Sequence, residues 1–235
     1  MTTTPAHVLV VPARAPQRTR GEVHVLIGRG DTPAVYQRFA DRLAADGYAV
    51  HVRPDAVTTA VRADGDVPQI VIGIDAGAIR AADIARVDPS AIDAVVLVGL
   101  PGPDDPDSSA LTAELEIEAR ASCPTQQGRL RDSAIITAGQ LIADLPPSVA
   151  SGTIDVPVLA LHGEDDRVSP LDTADGRYRQ LGIDHLTVVE SGRHDVLNSV
   201  HHRTVAASIV SFLEQVRHDG RAPLAQRSLS AEAIR

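Results

Sequence analysis

The sequence predicts an α/β fold in which a mostly parallel sheet is covered by helices on both faces. Short apolar runs rich in β-branched residues recur along the chain, and several are apolar almost throughout. That composition is typical of strands buried on both faces. Stretches with helical periodicity separate the runs, and such alternation favours a parallel sheet because parallel neighbours need a crossover between them.

The predicted strands and helices follow one another in a regular order. The apolar runs place strands at residues 7–11, 22–27, 48–53, 69–74, 93–98, 156–161 and 185–189. The helical patterns cover residues 33–46, 76–86, 171–181 and 202–217. The first of these helices ends before Gly47, a residue type that commonly follows a helix C-terminus. A polar turn around Pro16 to Gly21 joins the first two strands, which leaves an antiparallel pairing between them open.

Residues 101–150 interrupt the alternation. They begin with the Pro/Asp/Gly cluster PGPDDPD and continue through a helical stretch at 109–121. We interpret them as a short insertion that forms a modest lid over a pocket. The remaining pattern predicts one α/β domain at residues 1–218, followed by a polar C-terminal tail at 219–235.

Composition excludes several classes of partner. The 235-residue chain has a net charge of −9 and a pI near 5.4, so neither nucleic acid nor an anionic membrane surface is an expected partner. Cys123 is the single cysteine, which rules out an internal disulfide. No stretch is long and apolar enough to span a membrane, and the N-terminus lacks a signal-peptide pattern. We expect a cytoplasmic protein with a small-molecule substrate, and a homodimer is left open.

A candidate turn for a catalytic residue follows the fourth predicted strand. Gly73-Ile74-Asp75-Ala76-Gly77 comes directly after the apolar run Gln69–Ile72 and opens a helical pattern. This is the strand-turn-helix context of a nucleophile elbow, and small flanking residues suit its sharp turn. The central residue is Asp75 rather than serine, so the turn is kept while its chemistry changes.

Two later strand ends carry further polar side chains. The run from Val158 to Pro170 delivers Asp165 and Asp166 into a loop, and the run from Val188 to Asp195 delivers His194 before a helix. In parallel sheets, functional residues gather where strands end. The order along the chain is therefore elbow, acid, histidine.

With these motifs the chain resembles the α/β-hydrolase superfamily, whose triad runs nucleophile, acid, histidine. The resemblance covers roughly residues 5–217. It includes Val25–Gly30, which is similar to the His-Gly-x-Gly segment of the oxyanion hole, and Gly47–Val50, which is similar to a further landmark after the first helix. It implies the α/β-hydrolase fold with a mostly parallel sheet.

The resemblance also implies roles for individual residues. Asp75 takes the place of the nucleophile, Asp166 that of the acid and His194 that of the base, while Asp165 and Asp195 are rival carboxylates. The oxyanion donors would be the backbone N–H of Ala76 and a second donor from the segment that contains Ile27, Gly28 and Arg29. Ile27 replaces the usual histidine of that segment. The Arg29 side chain could place a cation at the pocket rim for an anionic substrate.

An aspartate at the elbow predicts attack on a saturated carbon, because a carboxylate is already ionised at neutral pH. His194, oriented by Asp166, would then activate water to hydrolyse the alkyl ester formed on Asp75. Haloalkane dehalogenases and epoxide hydrolases of the superfamily work in this way. This chain lacks the Trp that the former use, and residues 101–150 contain none of the cap tyrosines that the latter use.

The leading hypothesis is a cofactor-independent hydrolase of a small polar substrate, acting through covalent or general-base catalysis. The alternatives are a non-hydrolytic isomerase, cyclase or lyase of a natural-product pathway and a non-catalytic ligand-binding protein. Gly28-Arg29-Gly30 lacks the complete dinucleotide and P-loop patterns, so no cofactor is expected. His201 and His202 lack further ligands for a metal. We expect His162 to support its loop and Cys123 to be a packed thiol.

Overall fold

The computed structural model describes residues 8–14, 18–54, 67–102, 112–132, 134–148 and 152–221. Within them, seven strands form one sheet: β1 Leu9–Val11, β2 Gly21–Leu26, β3 Tyr48–Arg53, β4 Gln69–Ile74, β5 Ala94–Val98, β6 Val158–Gly163 and β7 Leu186–Val189. The longer helices are α1 Gln37–Ala45, α2 Ala76–Val87, α3 Ala113–Arg120, α4 Pro124–Leu130, α5 Leu171–Gln180 and α6 His202–Arg217.

The sheet is parallel except at one edge. Its strand order is β1-β3-β2-β4-β5-β6-β7, and every pair from β3 to β7 is parallel. β1 pairs with β3 in antiparallel register, with Leu9 opposite Val52. β1 is therefore antiparallel, but its partner is β3 and not β2. The antiparallel pairing of the first two strands is wrong, because β3 lies between them.

Helices cover both faces of the sheet, as the sequence predicts. On one face, Phe39 of α1 and Leu213 of α6 belong to the same buried cluster as the strands. On the other face, Ile79 and Ala82 of α2 pack with Tyr178 of α5. The central strands β4 and β5 are buried along their whole length, which explains why their sequences are apolar without alternation.

The predicted helix at 33–46 divides into a 3-10 turn at Pro33–Tyr36 and the α-helix α1. In the insertion, α3 begins at Ala113 because the Thr112 hydroxyl accepts a hydrogen bond from the N–H of Leu115 and caps the helix. The start of the predicted stretch at 109–111 lies outside the described residues. The following helix α4 was missed, since it is a single short segment interrupted by Gly128.

The described part of the insertion is tied to the loop after β2. The N–H of Thr137 donates to the Gly30 carbonyl over 2.7 Å, and the N–H of Thr32 donates to the Ile135 carbonyl over 3.1 Å. Asp31 forms an isolated bridge with Ile136. These bonds hold the insertion beside the segment that the sequence assigns to the oxyanion hole; its role as a lid stays a prediction.

The proposed division into residues 1–218 and a tail at 219–235 also stays a prediction, because residues 222–235 lie outside the described residues. No helix in the described part of the chain is long and apolar enough to cross a membrane.

Candidate active site

Asp75 sits in a strained turn between β4 and α2. Its backbone angles are φ 52° and ψ −122°, a conformation that residues with a side chain rarely adopt. A Cβ at Gly73 would lie 2.3 Å from the Gly77 carbonyl oxygen, and a Cβ at Gly77 would lie 2.1 Å from the Leu26 carbonyl oxygen. The two glycines are therefore required, because α2 crosses β2 and β4 at backbone contact. This geometry is that of a nucleophile elbow.

The structure brings Asp75, His194 and Asp166 together in a buried row. His194 Nδ1 lies 2.8 Å from Asp166 Oδ2, and His194 Nε2 lies 3.3 Å from Asp75 Oδ1. The second contact is an ion pair without the alignment of a hydrogen bond. Asp166 is fixed in turn, because its Oδ1 accepts hydrogen bonds from the N–H groups of Val168 and Ser169.

The rival carboxylates face elsewhere. Asp165 is exposed, and Asp195 accepts a 2.7 Å hydrogen bond from the Asn198 side chain. Burial, opposed by the Asn198 hydrogen bond, raises the pKa of Asp195 to about 6. Of the three candidate acids, Asp166 is therefore the one that orients His194.

The row of side chains is charged at neutral pH. Burial by itself raises the pKa of Asp75, but the close contact with positively charged His194 and the hydrogen bonds and charge of Arg29 outweigh it and hold the pKa well below its usual range. Burial lowers the pKa of His194, yet Asp166 and then Asp75 raise it to about 10. The pKa of Asp166 is lowered by the two histidines, His194 and His162, against the effect of burial. His194 is therefore an imidazolium between two carboxylates.

Arg29 clamps the elbow carboxylate. Its Nη2 donates to Asp75 Oδ1 over 2.8 Å and its Nε donates to Asp75 Oδ2 over 3.0 Å, while Nη1 donates to the Ala143 carbonyl over 2.9 Å. Arg29 also lines the neighbouring cavity, but the buried charge of Asp75 attracts its guanidinium, so its role toward an anionic substrate stays a prediction.

The predicted oxyanion segment lies beside Asp75. The backbone N–H of Arg29 donates to Asp75 Oδ2 over 2.7 Å, and a Cβ at Gly28 would lie 3.0 Å from Asp75 Cβ. Ala76 is buried at the start of α2, and Ile27 is part of the core. Aspartate has two carboxylate oxygens, whereas serine has one hydroxyl oxygen. The oxygen Oδ2 of Asp75 lies next to the backbone N–H of Arg29.

A cavity of about 350 Å³ opens next to this segment. Its lining includes Ile27, Gly28, Arg29 and Ala76, together with Arg80 of α2. All four residues that the resemblance assigns to oxyanion binding therefore border one space, which is large enough for a small substrate.

A buried ionic network behind the site was missed by the sequence analysis. Asp31 accepts hydrogen bonds from the Tyr36 hydroxyl over 2.6 Å and from Arg120 Nη1 over 2.8 Å. Arg120 Nη2 also donates to Glu116 and to the Arg29 carbonyl, each over 2.8 Å. The i,i+4 spacing of Glu116 and Arg120 was the local signal available. The hydrogen bond from Arg120 to the Arg29 carbonyl connects the network to the backbone of Arg29.

The remaining candidates have structural surroundings. His162 Nε2 donates to the Ser169 carbonyl over 2.7 Å and Nδ1 lies 3.1 Å from the Tyr178 hydroxyl, so His162 holds the acid loop as predicted. Cys123 is a buried free thiol at the start of α4. Among the described residues, no group of three or more His, Cys, Asp or Glu side chains is arranged to hold a metal ion.

Known structures share this architecture. No protein-family model matches the sequence, and no curated protein matches it either. A soluble variant of monoglyceride lipase from Saccharomyces cerevisiae superposes with a TM-score of 0.71 at 15% identity, covering 89% of this chain and 91% of that one. A putative non-heme bromoperoxidase, BpoC, from Mycobacterium tuberculosis gives 0.67 at 17% identity, with 92% and 97% covered. MenH from S. aureus gives 0.60 at 15% identity, with 90% and 99% covered.

The strand order, the turn at Asp75 and the similar solved structures all indicate the same fold. The chain has the α/β-hydrolase fold, with Asp75 at the turn between β4 and α2.

Proposed function

We propose that the protein is a hydrolase that uses Asp75, His194 and Asp166 on a small-molecule substrate. The observation that carries this proposal is the strained backbone of Asp75 directly opposite His194. Unusual backbone conformations persist where the surroundings enforce them, and they cluster at functional sites. An ion pair alone does not require a left-handed residue, so the turn is better explained by catalysis than by stability.

The ionised state of Asp75 supports attack on an electrophilic saturated carbon. One carboxylate oxygen forms a bond to that carbon while the bond from the carbon to its leaving atom breaks. The 3.3 Å distance between His194 Nε2 and Asp75 Oδ1 supports a role in which the imidazolium gives its proton to a leaving oxygen. A protonated histidine at this position would therefore replace the cap tyrosines that residues 101–150 lack.

The second half of the reaction follows from the first. His194 has lost its proton and the Asp75 ester is neutral, so one of the two carboxylates that raised the pKa of His194 no longer does so. His194 can then take a proton from water as the water oxygen attacks Cγ of Asp75. The oxyanion would be held by the N–H groups of Arg29 and Ala76. When the tetrahedral intermediate collapses, the ester bond breaks and the departing alkoxide takes the proton of the carboxylic acid formed on Asp75, which releases the alcohol and restores ionised Asp75.

This proton balance favours a substrate whose leaving atom is oxygen, such as a strained cyclic ether. A leaving halide would take no proton, and His194 would remain an imidazolium that cannot act as a base. Before attack, the Arg29 side chain has to release one oxygen of Asp75.

The test is turnover of a panel of epoxides, haloacids, esters and lactones by the wild type and by Asp75→Asn and His194→Ala. We expect epoxide hydrolysis in the wild type and its loss in both variants, while Asp165→Asn, which changes an exposed carboxylate of the acid loop, keeps the activity. With enzyme in excess in ¹⁸O-labelled water, covalent catalysis puts the label into the peptide that contains Asp75. Label found only in the product would instead indicate general-base catalysis by Asp75, and hydrolysis by Asp75→Asn would contradict the proposal.

A non-catalytic ligand-binding protein is the second candidate, and the Arg29 clamp favours it, because both oxygens of Asp75 already have cationic partners. A binding protein would turn over no compound in the panel, and a ligand of the cavity beside Asp75 would keep its affinity in His194→Ala. In the same experiment, conversion of a substrate without incorporation of water would favour the isomerase, cyclase or lyase alternative. Asp75→Ser should create activity on simple esters if the oxyanion donors are competent.

A further inference from the structure

A second cavity of about 350 Å³ lies between α1 and the start of α6, on residues other than those of the candidate active site. Three separate parts of the chain bring basic side chains to it. These are Arg14 after β1, Arg38 and Arg42 of α1, and His202 and Arg203 of α6. The cavity is named here the arginine pocket.

The charge of the arginine pocket is opposite to that of the whole protein. The chain carries a net charge of −9, yet four arginines and a single carboxylate, Asp41, line this space. Arg42 lies 3.7 Å from Asp46 in an exposed ion pair. Within the described residues, Arg14, Arg38 and Arg203 form no ion pair with a carboxylate. The pocket therefore holds positive charge that the described protein does not neutralise.

Arg38 is one of the arginines that line the arginine pocket. Its Nη2 donates to the Asn198 side chain over 3.2 Å, whereas its Nε is buried without a hydrogen-bond partner among the described residues. A buried donor without an acceptor is unfavourable. Burial and then the positive charge of Arg38 lower the pKa of His202, which is consistent with a cationic environment.

The first turn of α6 adds to this field. The helix spans His202–Arg217, and no side chain caps its N-terminus. The N-terminal end of a helix carries partial positive charge from its unpaired N–H groups. His202 and Arg203 of this turn line the pocket, so the helix end and the guanidinium groups act on the same space.

Part of the lining of the arginine pocket is apolar. Phe39 and Leu197 are core residues that line it, together with Ala206 of α6. A guanidinium fork matches the oxygens of a phosphoryl group, and an apolar wall suits an organic body attached to that group. We propose that the arginine pocket binds the phosphoryl group of a small organic phosphate, with its organic part against Phe39 and Leu197.

The experiment is calorimetric titration of the full chain with phenyl phosphate and with inorganic phosphate. We expect saturable binding of both, with phenyl phosphate the tighter because its ring contacts the apolar wall. Arg38→Ala and Arg203→Ala should each weaken binding about tenfold, since each removes a charge-assisted hydrogen bond. Arg203 is exposed, so its variant is a test that keeps the core intact. Thermal melts of each variant confirm that it is folded.

Two variants are the controls. Arg179→Ala removes an arginine of α5 whose side chain is 75% exposed, and it should leave the affinity unchanged. Arg80→Ala removes an arginine from the cavity beside Asp75, and it should also have no effect. Absence of saturable binding, unchanged affinity in Arg203→Ala, or loss of affinity in Arg80→Ala would each overturn the proposal. Equal affinities for the two ligands would overturn the assignment to an organic phosphate.

Discussion

The protonation state of His194 is the property on which the proposed mechanism depends. The two carboxylates beside it raise its pKa from 6.5 to about 10, so we expect the ring to stay protonated through neutral pH. Asp166 is nearer, at 2.8 Å against 3.3 Å for Asp75. Asp166→Asn should therefore lower the pKa of His194 more than Asp75→Asn does.

The free energy of unfolding should depend on the protonation of His194. A histidine that titrates near 6.5 when unfolded and near 10 when folded contributes on the order of 5 kcal/mol to the free energy of unfolding. Because the folded pKa is the higher one, this contribution is present in full below pH 6.5 and is lost as the pH rises toward 10. In Asp75→Asn the contribution should be smaller and its loss should be complete at a lower pH, since the folded pKa of His194 is lower.

The assay is a pH titration of the histidine ring nitrogens by NMR, with urea unfolding at each pH. His24 is an internal comparison, because burial, opposed by the Gln69 hydrogen bond, lowers its pKa. The spectra should show His24 losing its proton below pH 6.5 and His194 keeping its proton well above it. A His194 ring that is neutral at pH 7 would refute this reasoning, and with it the role of His194 as an acid.

Two further predictions concern the framework of the site. Gly77→Ala should abolish or severely destabilise folding, because its Cβ would lie 2.1 Å from a backbone oxygen of β2. In Gly176→Ala the new Cβ meets nothing within 4 Å, so this variant of a helical glycine should be more stable by about 0.5–1 kcal/mol. Urea unfolding of both variants tests this, and equal effects would contradict it. Arg120→Met should cost about 3–5 kcal/mol by leaving buried Asp31 without its cation, while Arg131→Met removes an exposed ion pair and should cost less than about 1 kcal/mol. Thermal unfolding compares the two, and equal losses would count against a buried ionic network.

Most strands could be located from sequence because burial on both faces demands continuous apolar runs. The bounds of β3 and β4 agree with the prediction residue for residue. Helices were less well defined: α1 starts later than its pattern because Pro33 begins a 3-10 turn, and α4 has too few residues for a periodic pattern. The partner of β1 could not be read from the sequence, because either edge of the neighbouring strands offers the same backbone groups.

The sequence by itself determined the fold class and the order of elbow, acid and histidine, because strand composition and turn glycines are local properties that follow from burial and backbone sterics. Only the tertiary structure decided which charges meet. Arg29 lies 46 residues before Asp75 and Arg120 lies 89 residues after Asp31, so neither pair leaves a local pattern. Ion pairs depend on distance in space, and in this protein they decide whether the elbow carboxylate is exposed to a substrate or covered by a guanidinium.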